Sequence, residues 1–151
     1  MGASGIAAPG TGTQARGTQG TGTQGSGMYT IFKDYSFAAA HRIRGHTGGC
    51  ENTHGHNYRV RVHVEARELD ALGMVVDFAD LKVHLDEVLG PFDHRVINDI
   101  PPFDERNTTA ELFSEYVFRQ MAQRLDDGRV RVRRVEVWEN DTSCARFEES
   151  A

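Results

Sequence analysis

From residue 54 to residue 65 the chain repeats with a period of two, and this pattern most narrows what it can fold into. Tyr58, Val60, Val62 and Val64 share one parity, and Arg59, Arg61, His63 and Glu65 share the other. A period of two belongs to an extended strand, whose successive side chains point to opposite faces. Such a strand needs cover on its apolar face only. Carried back regularly, the same parity puts His54 and His56 on the apolar side and leaves His63 as a surface or barrel-lining residue. A first strand, about Met28 to Ala40, sets Tyr29, Ile31, Tyr35, Phe37 and Ala39 on one parity, and His41 continues it.

Histidines at i and i+2 of a strand face the same way, so His54 and His56 form a natural pair. His41 from the neighbouring strand would complete three neutral nitrogen ligands, the usual protein contribution to a catalytic zinc with one open position. Cys50 lies four residues before His54. A thiol beside a cation has a lowered pKa and can act as base or nucleophile. A structural zinc closed by Cys50 and the three histidines is the alternative, and it would leave no place for substrate. A second constellation is Asp93-His94, where the carboxylate can orient and polarise the imidazole for proton transfer; the plainer reading is a loop turn capped by Asp93. Glu139, after Trp138, reads by itself as a solvated strand-end charge.

Two helices follow from periodicity and capping. The first begins near Asp77 and carries Phe78, Leu81, Leu85 and Val88, ending at Leu89-Gly90-Pro91. The second opens with a capping box, Thr108-Thr-Ala-Glu111, and buries Phe113, Val117, Met121 and Leu125 before Asp126-Asp127-Gly128 ends it. In the next strand Val130 and Val132 give way to Val135 and Val137, a slip of parity that predicts a β-bulge. A last strand covers about Ser143 to Glu148. The order strand, strand, helix, helix, strand, strand predicts an α+β domain, a four-stranded antiparallel sheet with two helices on one face. Its free edges favour pairing with other subunits.

Residues 1–27 repeat a Gly-Thr-Gln theme and hold nine of the sixteen glycines. They have too little apolar surface to offset the entropy of ordering, so disorder is expected there and a single domain over 28–151. The stretch lacks the charged start and apolar run of a signal peptide, and no membrane span is expected. Without Arg16, the one charged residue of this stretch, sixteen basic residues face twenty-two acidic ones, a net of −6. That balance argues against nucleic acid as a partner. The run Arg129 to Arg134 reads as a solvated strand face, or as attraction for an anionic substrate. Two cysteines ninety-four positions apart make no disulfide framework and fit a reduced, cytoplasmic setting. Cys144 is expected to be a buried small hydrophobe.

Taken in order, Phe37-Ala-Ala-Ala-His41, Cys50-x3-His54-Gly-His56, Gly73-Met-Val-Val-Asp77-Phe, Asp93-His94-x3-Asn98, Thr109-Ala-Glu111 and Val137-Trp-Glu139 resemble the 6-pyruvoyltetrahydropterin synthase / 6-carboxytetrahydropterin synthase family. The resemblance spans nearly all of residues 28–148, and the short Cys-x3-His-Gly-His spacing resembles the bacterial carboxy branch. It implies a tunnelling fold in which sheets from three subunits close a twelve-stranded barrel and two trimers stack into a homohexamer, with active sites at subunit interfaces. It implies a lyase acting on 7,8-dihydroneopterin triphosphate, giving 6-carboxy-5,6,7,8-tetrahydropterin, triphosphate and acetaldehyde on the route to 7-deazaguanines such as queuosine. By the same resemblance His41, His54 and His56 hold zinc, Cys50 is the proton acceptor, Asp93 with His94 is a second acid/base unit, and Glu139 anchors the pterin. Asn140 departs from the threonine common after that glutamate. The alternatives are a pyruvoyl-type triphosphate lyase and a non-catalytic, zinc-stabilised pterin-binding module.

Overall fold

The computed structural model describes residues 27–150, so the stretch expected to be disordered lies, apart from Gly27, outside the described residues. Strands β1 (Tyr29–His41) and β2 (His54–Ala66) pair antiparallel along their whole lengths, from Tyr29 opposite Ala66 to His41 opposite His54. Helix α1 (Phe78–Leu89), a two-residue strand β3 (Arg95–Val96) and helix α2 (Ala110–Leu125) follow, then β4 (Val130–Asn140) and β5 (Ser143–Phe147). The sheet has five strands in the order β3-β1-β2-β4-β5. It therefore differs from the expected four antiparallel strands. β3 lies parallel to β1 at Ala39 and Ala40, and two residues are too few to leave a periodic signal.

The helices cover one face, α2 against β4 and β5 and α1 against β1 and α2. That face receives the predicted parities: Val60, Val62, Val135 and Val137 are fully buried beneath Leu81, Leu85, Phe113, Val117 and Met121. The parity slip in β4 is a bulge, since His63 faces Arg134 while Val64 faces Val132, leaving Arg133 without a partner. Asp77 caps α1 by accepting the Ala79 N–H at 2.7 Å. In α2 the cap is Thr109, which accepts the Leu112 N–H at 3.3 Å, not the first threonine of the expected box. Thr108 instead donates its hydroxyl to the Arg42 carbonyl at 3.0 Å. Phe78 falls on the apolar stripe of α1 yet stays half exposed, with the Lys33 ammonium 6.0 Å from its ring.

His63 is buried, which overturns the surface half of its expected reading and leaves the barrel-lining half standing. Its ring bonds Glu136 at 2.8 Å on the helix-free face, where Phe32 lies 5.6 Å away. Cys144 is corrected in the other direction. It is exposed on β5, an edge strand that pairs with β4 alone.

Candidate active site

The site is built at one end of the long β1–β2 ladder. His41 and His54 are directly opposed across the strands, and His56 stands opposite Ala39, whose small side chain leaves room for imidazole. One candidate ligand nitrogen from each of the three rings lies within 4.8 Å of the others. Hydrogen bonds fix two tautomers. A carbonyl can only accept, so His41 donates its Nδ1 proton to Thr108 O at 2.9 Å and His54 donates its own to Asn52 O at 2.8 Å. Both Nε2 atoms then carry lone pairs, and they face each other at 3.1 Å. Two lone pairs at that distance repel, and a cation between them removes the repulsion. The Nε2 of His56 is buried with no hydrogen-bond partner. Burial pushes the His41 pKa down against the opposing pulls of the Thr108 carbonyl and Glu139, so the ring stays neutral, as a ligand must. The donor set fits a divalent metal of the zinc kind.

A cleft of about 290 Å³ opens beside these rings, with His41, Cys50, His54, Thr109, Glu111 and Glu139 on its walls. Cys50 sits on a one-turn 3-10 segment, Gly49–Glu51, whose position is fixed when Ile43 N–H donates to the Cys50 carbonyl at 2.7 Å. Its thiol is exposed and is not among the atoms that cluster within reach of one ion. Glu139 reaches the site through a second bulge. Trp138 pairs with Cys144 and Asn140 with Ser143, so Glu139 has no partner on β5 and its carboxylate comes to 3.8 Å from His41 Nε2. Trp138 turns to the other face, stacked by Arg59 at 4.3 Å.

Asp93 and His94 do form the expected pair, with His94 Nδ1 at 2.9 Å from the Asp93 carboxylate. The Ala38 N–H, the largest influence, and then His94 hold the Asp93 carboxyl below its ordinary value. The backbone is locked to β1, with Ala38 N–H donating to Asp93 Oδ1 at 3.1 Å and His94 N–H donating to Ala38 O at 2.6 Å. The dyad does not share the cleft. His94 instead borders a second depression at the β1–β3 edge, which it shares with His56, Ala38, Gly55 and Asn57.

The Arg129–Arg134 run lies at the far end of the sheet, and most of it is spoken for. Along β2, His54 to Glu65 spans about 36 Å at the rise of a strand. Arg129 donates to the carbonyls of Glu68, Met74 and Val75, and Arg131 pairs with buried Glu65. The larger depression there, about 760 Å³, is bordered by these engaged groups and by no histidine or cysteine, so we place no chemistry in it. Sequence patterns missed Thr108, whose carbonyl orients His41, and Tyr58, buried beside the rings of His41 and His56 with its hydroxyl unpartnered. Burial raises the Tyr58 pKa. Period-two alternation had marked Tyr58 only as core.

Residues 30–150 match the profile of the family described as 6-pyruvoyl tetrahydropterin synthase. The chain is similar to 6-carboxy-5,6,7,8-tetrahydropterin synthase of Synechocystis sp., 36% identical over 125 residues, which cover 80% of this chain and 93% of the relative. It is also similar to 6-pyruvoyl tetrahydrobiopterin synthase of Homo sapiens, 33% identical over 122 residues, 72% of this chain and 83% of the relative. Among solved structures, the 6-pyruvoyl tetrahydropterin synthase of Caenorhabditis elegans superposes with a TM-score of 0.73 at 28% identity, over 82% of this chain and 97% of that one.

Proposed function

The chain belongs to the 6-pyruvoyl tetrahydropterin synthase family, and from that premise we propose that it is a zinc-dependent lyase of the carboxy branch. Its substrate would be 7,8-dihydroneopterin triphosphate, and its products 6-carboxy-5,6,7,8-tetrahydropterin, triphosphate and acetaldehyde. The observation that carries this reading is the convergence of one nitrogen each from His41, His54 and His56 at the edge of a cleft whose walls include His41, His54, Cys50 and Glu139. The short spacing from Cys50 to His54 and the similarity to the Synechocystis synthase favour the carboxy branch.

In this reading His41, His54 and His56 would hold zinc, which when bound supplies Lewis acidity toward the hydroxyl-bearing side chain of the substrate. The Glu139 carboxylate accepts the paired N–H groups of the pterin edge, a geometry suited to two parallel charge-assisted bonds. Cys50, as thiolate, takes a proton from the side chain. Asp93 accepts the Nδ1 proton of His94, leaving Nε2 to take up and return protons on the other side. His94 opens on a depression that it shares with His56 and not with Cys50 or Glu139, and we place the complete site across a subunit boundary, within a homohexamer of two trimers.

The test is incubation with dihydroneopterin triphosphate under reducing, anaerobic conditions, with mass identification of every product. Acetaldehyde with carboxytetrahydropterin supports the proposal. The similarity to the human synthase favours one alternative, a pyruvoyl-type reaction; a product that keeps all three side-chain carbons would select it. Pterin binding without turnover by the metal-loaded protein would leave only a binding module.

A further inference from the structure

Past β3 no strand accompanies the first strand, yet its backbone continues to be met group by group. At Arg42 the N–H donates to Asn98 Oδ1 at 2.8 Å and the carbonyl receives Asn98 Nδ2 at 3.0 Å. At Arg44 the N–H donates to Asn107 Oδ1 at 2.9 Å and the carbonyl receives Asn107 Nδ2 at 3.1 Å. Each asparagine thus bonds one residue's N–H and C=O together, as a neighbouring strand would. Asn98 is 2% exposed. The Arg44 guanidinium gathers the same loop, donating to the carbonyls of Phe103, Asp104 and Arg106 at 2.8 to 3.1 Å. Next to the second clamp stands Thr108, whose hydroxyl holds Arg42 O and whose carbonyl takes the His41 Nδ1 proton. The direction in which His41 Nε2 points therefore depends on where the loop holds that carbonyl.

We infer that Asn98 and Asn107 are positioning residues for the metal centre: their amides lock the His41–Arg44 segment to the Asn98–Thr108 loop and so keep His41 Nε2 aimed at the ion. The inference rests on the reading that the three histidines hold a metal. Groups that orient a ligand in this way change metal affinity by about ten- to a hundredfold when removed.

The experiment is titration of the full-length, assembled protein with Co(II), followed by its visible absorption, for Asn98→Ala, Asn98→Asp and Asn107→Ala. Asn98→Asp keeps the acceptor for Arg42 N–H but sets a carboxylate against the Arg42 carbonyl, so it carries the test if Asn98→Ala does not fold. Each variant should keep its far-UV circular dichroism and oligomer size while binding Co(II) about ten- to a hundredfold more weakly. Val88→Ala, which opens a cavity at a buried position of α1 outside this hydrogen-bond network, should lose thermal stability and bind Co(II) like wild type. Wild-type affinity in the asparagine variants, or an equal loss in Val88→Ala, overturns the inference. His41→Ala separates the two levels. If it abolishes the Co(II) spectrum while the asparagine variants bind normally, only the positioning role falls. If it leaves the spectrum intact, the metal reading itself falls.

Discussion

His94 holds its backbone in the left-handed region, φ 55°, which a residue with a Cβ enters at a cost of about 1–2 kcal/mol. Its side chain is 80% exposed, so packing does not explain the strain. His94→Gly should therefore raise thermal stability, by about 1 kcal/mol, while lowering turnover. Melting curves and kcat measured on one preparation check the two opposite signs. Cys50 and the metal ligands separate in the same way. Cys50→Ala should retain full metal and lose about a hundredfold or more in rate. Asp93→Asn should also keep its metal but slow turnover by releasing His94. Metal analysis of Cys50→Ala showing an empty site would support a closed, structural zinc and end the catalytic assignment.

At the scale of elements, two irregularities in β4 do what a regular strand could not. The bulge at Arg133 restores the valine parity after the chain turns at Gly128, φ 90°, and the one at Glu139 frees a carboxylate to reach the histidines. The cap of α2 rests on the second threonine, so Thr109→Ala should cost about 1 kcal/mol of stability, read from denaturant melts. β1 and β2 are further tied by Asp34 and Arg61, whose guanidinium donates two bonds to the carboxylate at 2.7 and 2.8 Å. Chiefly that bonding holds the Asp34 carboxyl below its ordinary value. A carboxyl with a depressed folded pKa contributes its full stability above the unfolded pKa, about 3.9, and loses it as pH falls through the lower folded value. Wild type should therefore lose melting temperature below about pH 4 more steeply than Asp34→Asn. Parallel curves would show that the pair adds nothing in solution.

For the molecule as a whole, the sheet of one chain is open. Among the described residues β1 is unpaired on its outer side from Tyr29 to Phe37, β5 pairs with β4 alone, and Tyr29 and Phe32 are about half exposed. Exposed strand edges with aromatic neighbours favour pairing with further copies. If the proposed homohexamer holds, light scattering should give a mass of six chains, and a protein starting at Met28 should give the same oligomer and the same turnover. A monomer of full activity would remove the idea that the dyad works on a neighbouring chain's cleft.

Local pattern sufficed for the four longer strands, their faces and the grouping of His41, His54 and His56, but not for β3. Periodicity is a local property, and once Tyr58 to Val64 alternate, His54 and His56 follow onto the same face. The motifs also led to the family, because their order and spacing are properties of the chain. Other features needed the folded chain. That His63 is buried against Glu136, that Cys144 is exposed, that Thr108 orients a ring instead of capping a helix, and that Asp93 and His94 stand outside the cleft depend on contacts between residues far apart in sequence. Thr108 meets His41 across sixty-seven positions and Glu136 meets His63 across seventy-three. No local pattern encodes such distances; they follow from how the loops close around the sheet.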